Sequence, residues 1–330
     1  MRKLGRKALS ALLALALFVS VLPLGAVPVR AADETFVTTG GLTVTGERSG
    51  YSYNEQTHVL TVNAGADLTI SVTTETDSIV AAGNANLTLA GVNITHTDGS
   101  NEPAYNYATP DNVAGTCALA VGSGATLNLT LSGENTLQSG TGCAGISVES
   151  GADLVVDGTG RLAVTGGHSA AGIGGGAWNN AGDITISNGT VIATGGADGA
   201  ASGGGHANDK ADDSSHPYGS YESIAINGGH VTATSGGNAA GIGTGCWAQS
   251  GGAITIKDAV IQATSTASVN GDCAAIGRGY ATTSGCQIAI SDSVVTVSNN
   301  NKGAAIASGT TEETGVTLNC IVFSETVGTV

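Results

Sequence analysis

The chain has 330 residues, of which 41% are apolar, 11% charged and 4% aromatic, with 52 glycines. Five of its eleven basic residues (Arg2, Lys3, Arg6, Lys7 and Arg30) fall in the first 31 positions, so the remainder carries six basic against 26 acidic side chains and a formal charge of −20. That balance argues against nucleic acid and anionic membrane as partners, because both demand a basic surface.

Residues 1–31 have the form of a secretory signal: basic residues first, an apolar run from Ala8 to Val27, then Val29-Arg30-Ala31 as a small-residue cleavage site. No later stretch is apolar for long enough to cross a bilayer. The mature chain is therefore expected to be secreted, extracellular and free of membrane once the signal is removed, or held at a cell surface.

Helix formers are scarce after the signal, and no segment shows the 3.6-residue apolar period. The mature protein is expected to be all-β. Residues 32–77 contain short alternating segments, Thr57–Val62 and Ala66–Val72 among them, broken by Gly and Asn. This region is expected to form an N-terminal β cap, covering strands that would otherwise be exposed at one end.

From residue 78 to 330 one unit recurs. Its clearest copy is AAGIGGGAWNNAGDITISNGTVIATGG (Ala170–Gly196), followed by AAGIGTGCWAQSGGAITIKDAVIQATS (Ala239–Ser265) and AAIGRGYATTSGCQIAISDSVVTVS (Ala274–Ser298). Each holds an anchor residue, a glycine run and two short β segments. The anchor position returns at Ile79, Leu119, Ile146, Ile173, Ser202, Ile242, Ile276 and Ile306, at intervals of 27 to 40 residues. Constant strands joined by loops of variable length account for that scatter. The β segments alternate apolar and small polar residues, as in Ile184/Ile186, Ile224/Ile226, Ile254/Ile256, Ile288/Ile290 and Val316/Leu318. Their apolar partners share one face, which the next copy must cover, so the copies should pair as parallel strands. Repetition of this kind predicts a single-stranded parallel β-helix solenoid, three-sided and right-handed.

The phrases AGIGGG, DITISNGTVIATGG and SIAINGGHVTATSGG resemble the GAGIGGG…ITINGGTVTATGG repeats of secreted surface proteins of Gram-positive anaerobes, a carbohydrate-binding-domain-containing family. The front half, YSYNEQTHVLTV and SIVAAGNANLTLAGVNI, is similar to the same family. The resemblance implies a β-helix, secretion and a glycan-binding role, and brings no catalytic residues with it.

The loop after the anchor places Trp178, His206, Trp247 and Tyr280 in successive copies, including both tryptophans of the chain. Stacked copies would align them as a column on one wall, with Arg278 beside it, and a row of aromatic faces suits sugar rings. The competing reading is that these rings shield glycine-rich backbone. The insertion His206–Ser223 gathers Asp209, Asp212, Asp213, His216 and Glu222, an oxygen-rich loop that could hold calcium or could simply be solvated. No other cofactor is indicated. Cys117 and Cys143 flank equivalent anchors one residue out of register, close enough for a disulfide, although both could equally remain small buried thiols.

Enzymatic readings lack support in the residues. A polysaccharide lyase would need a basic residue beside acidic calcium ligands, and only six scattered basic residues remain. A glycoside hydrolase needs two facing carboxylates, whereas Asp153, Asp157, Asp183 and Asp258 are expected at repeat turns. The glycine runs lack the following helix and Gly-Lys-Ser/Thr of a phosphate loop. The preferred expectation is a lateral polysaccharide- or glycan-binding adhesin; a β-helical lyase or hydrolase, and a ligand-free spacer, stand as alternatives. The strand-like Ile321–Val327 offers no evident cap, which leaves room for end-to-end self-association.

Overall fold

The structure is a computed structural model that describes residues 34–99, 115–207, 219–267, 273–299, 304–307, 316–319 and 322–327, all within the unit Asp33–Val330. It is all-β apart from one short 3₁₀ turn at Arg48–Gly50. Among the described residues no helix is long and apolar enough to cross a membrane.

Three ladders of parallel strands make the three sides of a β-helix. One coil shows the plan: Ile173–Gly174 on the anchor face, Ala181–Ile186 on a second face, Thr190–Ala197 on a third. The anchors pair in unbroken register, Ile79 on Leu119, then Ile146, Ile173, Ser202, Ile242, Ile276 and Ile306. Every one from Ile79 to Ile276 is fully buried.

On the second face Ile184, Ile224, Ile254, Ile288 and Val316 form a column, and Ile186, Ile226, Ile256, Ile290 and Leu318 form the next. The third face stacks Leu162, Val191, Val231, Ile261 and Val295, all buried. Like sits on like because the side-chain period of a strand is two, and a slip of one residue would turn each row outward. The interior is thus a set of mainly aliphatic stacks, most of them Ile or Val on Ile or Val, with Ser202 the polar member of the anchor column.

The three edges between the faces differ. From second face to third the chain needs only one to three residues, as between Gly158 and Arg161, Ile186 and Thr190, or Ser291 and Val294. Most of the variation in repeat length falls on the other two edges. Beside the four anchors from Ile173 to Ile276 a glycine turns with φ between 127° and 138°, at Gly174, Gly203, Gly243 and Gly277. An added Cβ there would lie only 1.8–2.0 Å from the carbonyl oxygen of the next coil. Glycine therefore permits both the conformation and the coil-to-coil approach.

The first strands pair differently. Glu34–Val37 runs antiparallel to Thr43–Gly46, which runs antiparallel to Asp67–Thr74; Tyr51–Asn54 is antiparallel to Val59–Val62. Parallel pairing begins where Val59 meets Ser78 and Asp67 meets Asn86, so it starts inside the stretch 32–77. The fully buried Asp77 carboxylate ties these hairpins together. It accepts hydrogen bonds from the Thr38 hydroxyl, from Tyr53 Oη at 2.7 Å and from the Leu42 amide at 3.3 Å, and His58 Nδ1 lies 3.5 Å away.

Candidate functional site

The register resolves where the predicted aromatic column falls. Counted from the stacked anchors, Trp178 and Trp247 lie five residues beyond Ile173 and Ile242, whereas His206 and Tyr280 lie four beyond Ser202 and Ile276. Backbone bonds agree: the Trp178 amide donates to His206 O at 2.8 Å, Ala207 to Cys246 O at 2.9 Å, and Trp247 to Tyr280 O at 2.8 Å. The expected single column is therefore two adjacent ones. Trp178, Ala207, Trp247 and Ala281 make the first, and Ala177, His206, Cys246 and Tyr280 the second.

The first column bends sharply. Trp178 and Trp247 adopt φ of 60° and 62°, and Ala281 at the same offset adopts 54°. Left-handed backbone is a real exception for a residue as bulky as tryptophan. Both indoles are half-buried. Tyr280, also half-buried, meets Trp247 edge-on with ring centroids 5.5 Å apart and an interplanar angle of 85°. The half-buried Arg278 stands two residues before it in the same loop.

His206 does not belong to this surface. It is 1% exposed, and its Nδ1 points at Asp198 Oδ2, 3.7 Å away. Unlike Tyr280 at the same offset, which is half-buried, the His206 ring is enclosed beneath the corner and offers no face to a ligand. Asp198 is itself at a left-handed corner (φ 60°) and accepts the Asn238 amide at 2.9 Å. The Cys246 amide donates to Asp198 O at 3.0 Å, which brings Cys246, His206 and Asp198 together.

That trio has the residue types of a thiol nucleophile, base and orienting carboxylate. The chemistry does not follow. Cys246 is only 2% exposed, and burial, with the Asp198 charge and Cys273 adding to it, pushes its thiol far above the ordinary range. A thiol kept protonated is not a nucleophile. Sequence spacing missed this trio, since its members come from two coils and 49 positions; counting four residues from each anchor would have placed His206 under Cys246.

The other predicted positions sort as follows. Asp209, Asp212, Asp213 and His216 lie outside the described residues. Among the described residues no group of three or more His, Cys, Asp or Glu is arranged to hold a metal ion. Asp153, Asp157 and Asp183 are strand residues of the second face, not turn residues as expected, and only Asp258, with φ of 52°, sits at a turn. Asp153 accepts the Thr126 hydroxyl at 3.0 Å and Asp183 the Ser223 hydroxyl at 2.6 Å. Such hydroxyl–carboxylate pairs between coils account for these acids without catalysis.

Cys117 and Cys143 do come together. Both are half-buried free thiols. The Cys143 thiol donates into the neighbouring coil, to Gly115 O at 3.2 Å, and the two thiols are hydrogen-bonded to each other.

The fold and the corner geometry thus define a parallel β-helix scaffold with a bent aromatic edge. Comparison with protein-family models, with curated proteins and with solved structures returned no match.

Proposed function

We propose that this chain is a secreted or cell-surface binding protein that takes a polysaccharide along one edge of the β-helix. The contacts are Trp178 and Trp247, with Tyr280 and Arg278 beside the second. One observation carries the reading: both tryptophans of the chain occupy the same bent corner, two coils apart, half-exposed and in a backbone conformation unfavourable for them. Such conformations cost about 1–3 kcal/mol and cluster where a site needs them.

Two coils separate the indoles by about 10 Å, given a strand spacing of about 4.8 Å. That is close to the length of a disaccharide in an extended β-linked chain, so both rings could stack on one face of the same polymer. Ala207 and Ala281 between and beyond them leave room for the sugar in between. Resemblance to glycan-binding surface proteins points the same way, and the acidic remainder of the chain favours a neutral polymer over a polyanion.

Co-sedimentation with insoluble cellulose, pectin and mucin glycans tests the proposal. The wild-type chain should pellet with at least one of them, and Trp178→Ala/Trp247→Ala should lose at least tenfold in affinity, two aromatic contacts of about 0.5–1.5 kcal/mol each being removed. Equal binding by the double variant would refute the site. Release of reducing or unsaturated sugar ends would move the assignment to an enzyme, and no binding at all would leave a spacer.

A further inference from the structure

We infer that Cys117 and Cys143 form a reversible dithiol–disulfide site, a clip between adjacent coils that is closed by small neutral or cationic disulfides. The inference is independent of polysaccharide binding.

Position singles this pair out. Leu119 and Ile146 are register partners, and the Gly115 amide donates to Thr141 O at 2.7 Å in the same register, so residue 144 stands opposite residue 117 and Cys143 is diagonal to Cys117 in the segments leading into neighbouring parallel strands. The diagonal is closed by the side chains: Cys143 Sγ already extends to Gly115 O of the other coil, and the two sulfurs share a hydrogen bond. Both residues are half-buried, while Cys246, Cys273 and Cys286 are 2%, 0% and 7% exposed. Access and proximity therefore coincide at one pair among the described cysteines.

The corner holding them is well fixed. Asp98 accepts the Thr116 amide at 2.9 Å and the Thr116 hydroxyl at 2.6 Å, and its own carbonyl accepts the Thr141 amide at 3.0 Å. The segments just before Cys117 and just before Cys143 are thus pinned to a common residue, which limits the motion needed for a bond to form.

The two thiols are not equivalent. The hydrogen bond donated by Cys117 favours the thiolate of Cys143 and lowers its pKa, whereas the same bond, burial and the neighbouring acids raise that of Cys117. Cys143 is accordingly the attacking sulfur and Cys117 the resolving one. The Cys143 thiolate attacks one sulfur of a small disulfide, and the first small thiolate leaves. That thiolate takes the Cys117 proton, the Cys117 sulfur attacks Cys143, and the second small thiol is expelled. Two cysteine thiols are oxidised and one external disulfide is reduced to two thiols.

Charge sets the class of reagent. The Asp98 carboxylate is held on Thr116, next to Cys117, and its charge acts on both sulfurs, with that of Glu149 adding at Cys117, within a chain of net charge −20 after residue 31. An anionic disulfide is repelled from such a site, and the repulsion is screened by salt.

The test uses the full reduced chain, oxidised separately with cystamine and with oxidised glutathione, then alkylated and mapped by peptide mass spectrometry. The expected product is two hydrogens lighter, with the Cys117 and Cys143 peptides joined. Cystamine should act several-fold faster than glutathione disulfide at low salt, with the gap closing at high salt. In Cys117→Ser a mixed disulfide should accumulate on Cys143, and Cys143→Ser should leave Cys117 slow to react. The wild-type mapping requires no variant, so a misfolded variant leaves the test intact. Both cysteines still open to alkylation after oxidation, or a bond between Cys246 and Cys273 forming first, would overturn the assignment; equal rates for the two reagents at low salt would overturn the charge preference.

Discussion

Replacing Gly203 by alanine tests the coil-stacking argument most directly. Gly203 follows the anchor Ser202, turns with φ of 128°, and faces Gly243 of the next coil. An alanine Cβ would lie 2.0 Å from Gly243 O, 3.0 Å from the Gly243 carbonyl carbon and 3.2 Å from Ile224 Cδ1. Two effects add. An L side chain at that φ stores about 1–3 kcal/mol of backbone strain, and driving the carbonyl away adds an overpacking cost of about 1–3 kcal/mol.

The struck oxygen also accepts the Gly204 amide at 2.9 Å; lengthening that bond adds about 1 kcal/mol. The expected loss is about 4–5 kcal/mol. Gly124→Ala is the matched control: Gly124 has φ of 77° and nothing within 4 Å of the added carbon, so it carries only the left-handed penalty. That penalty is about 1–2 kcal/mol. Urea unfolding followed by far-ultraviolet circular dichroism, with limited proteolysis in parallel, compares the two. A difference of about 3 kcal/mol corresponds to roughly a hundredfold in the folded-to-unfolded ratio. Coincident midpoints for Gly203→Ala and Gly124→Ala would refute the claim that bare backbone lets the coils close.

Two further outcomes are expected. Asp77→Ala leaves the Tyr53 and Thr38 hydroxyls and the Leu42 amide without their carboxylate, and should destabilise the N-terminal hairpins by about 3–5 kcal/mol; hydrogen exchange should rise first across residues 34–62, and unchanged protection there would contradict the role given to Asp77. Burial raises the Asp98 carboxyl, but the hydrogen bonds from Thr116 and the nearby His96 outweigh it, so its pKa lies below the ordinary 3.8. A lowered carboxylate stabilises the fold above its unfolded pKa and loses that effect as pH falls through the folded value. Acid titration of Asp98→Asn should therefore show a shallower loss of stability below about pH 4 than wild type, and parallel curves would count against it.

The repeat was legible because its signal is redundant. Eight anchors and five Ile or Val pairs on the second face each report the same face, and the register matches them residue for residue. The aromatic corner was harder to read, for it carries one side chain per copy. Alignment by glycine runs, which differ in length between GIGGGAW and AIGRGY, shifts it by a residue; only counting from the anchor separates Trp178 and Trp247 from His206 and Tyr280. The count separates the two columns, and only the burial of His206, 1% exposed, removes it from the surface that Tyr280 keeps. The Asp77 cluster left no pattern to find, as Thr38, Tyr53, His58 and Asp77 are non-repeating residues spread over 40 positions and joined by the antiparallel hairpins and by the first parallel pairing, of Val59 with Ser78.

The unequal edges of the solenoid bear on how such a chain can be altered. Where the second face passes to the third, one to three residues are all the geometry admits, and a longer link there would have to bulge between tightly stacked turns. The remaining two borders already absorb differences of a dozen residues while the aliphatic stacks keep step. A foreign peptide spliced after the exposed Asn179 or Ser250 would hang outside the spool, at a height chosen by the turn that carries it. The molecule thus behaves as a graduated post, on which displayed segments can be set at measured intervals without disturbing what holds it upright.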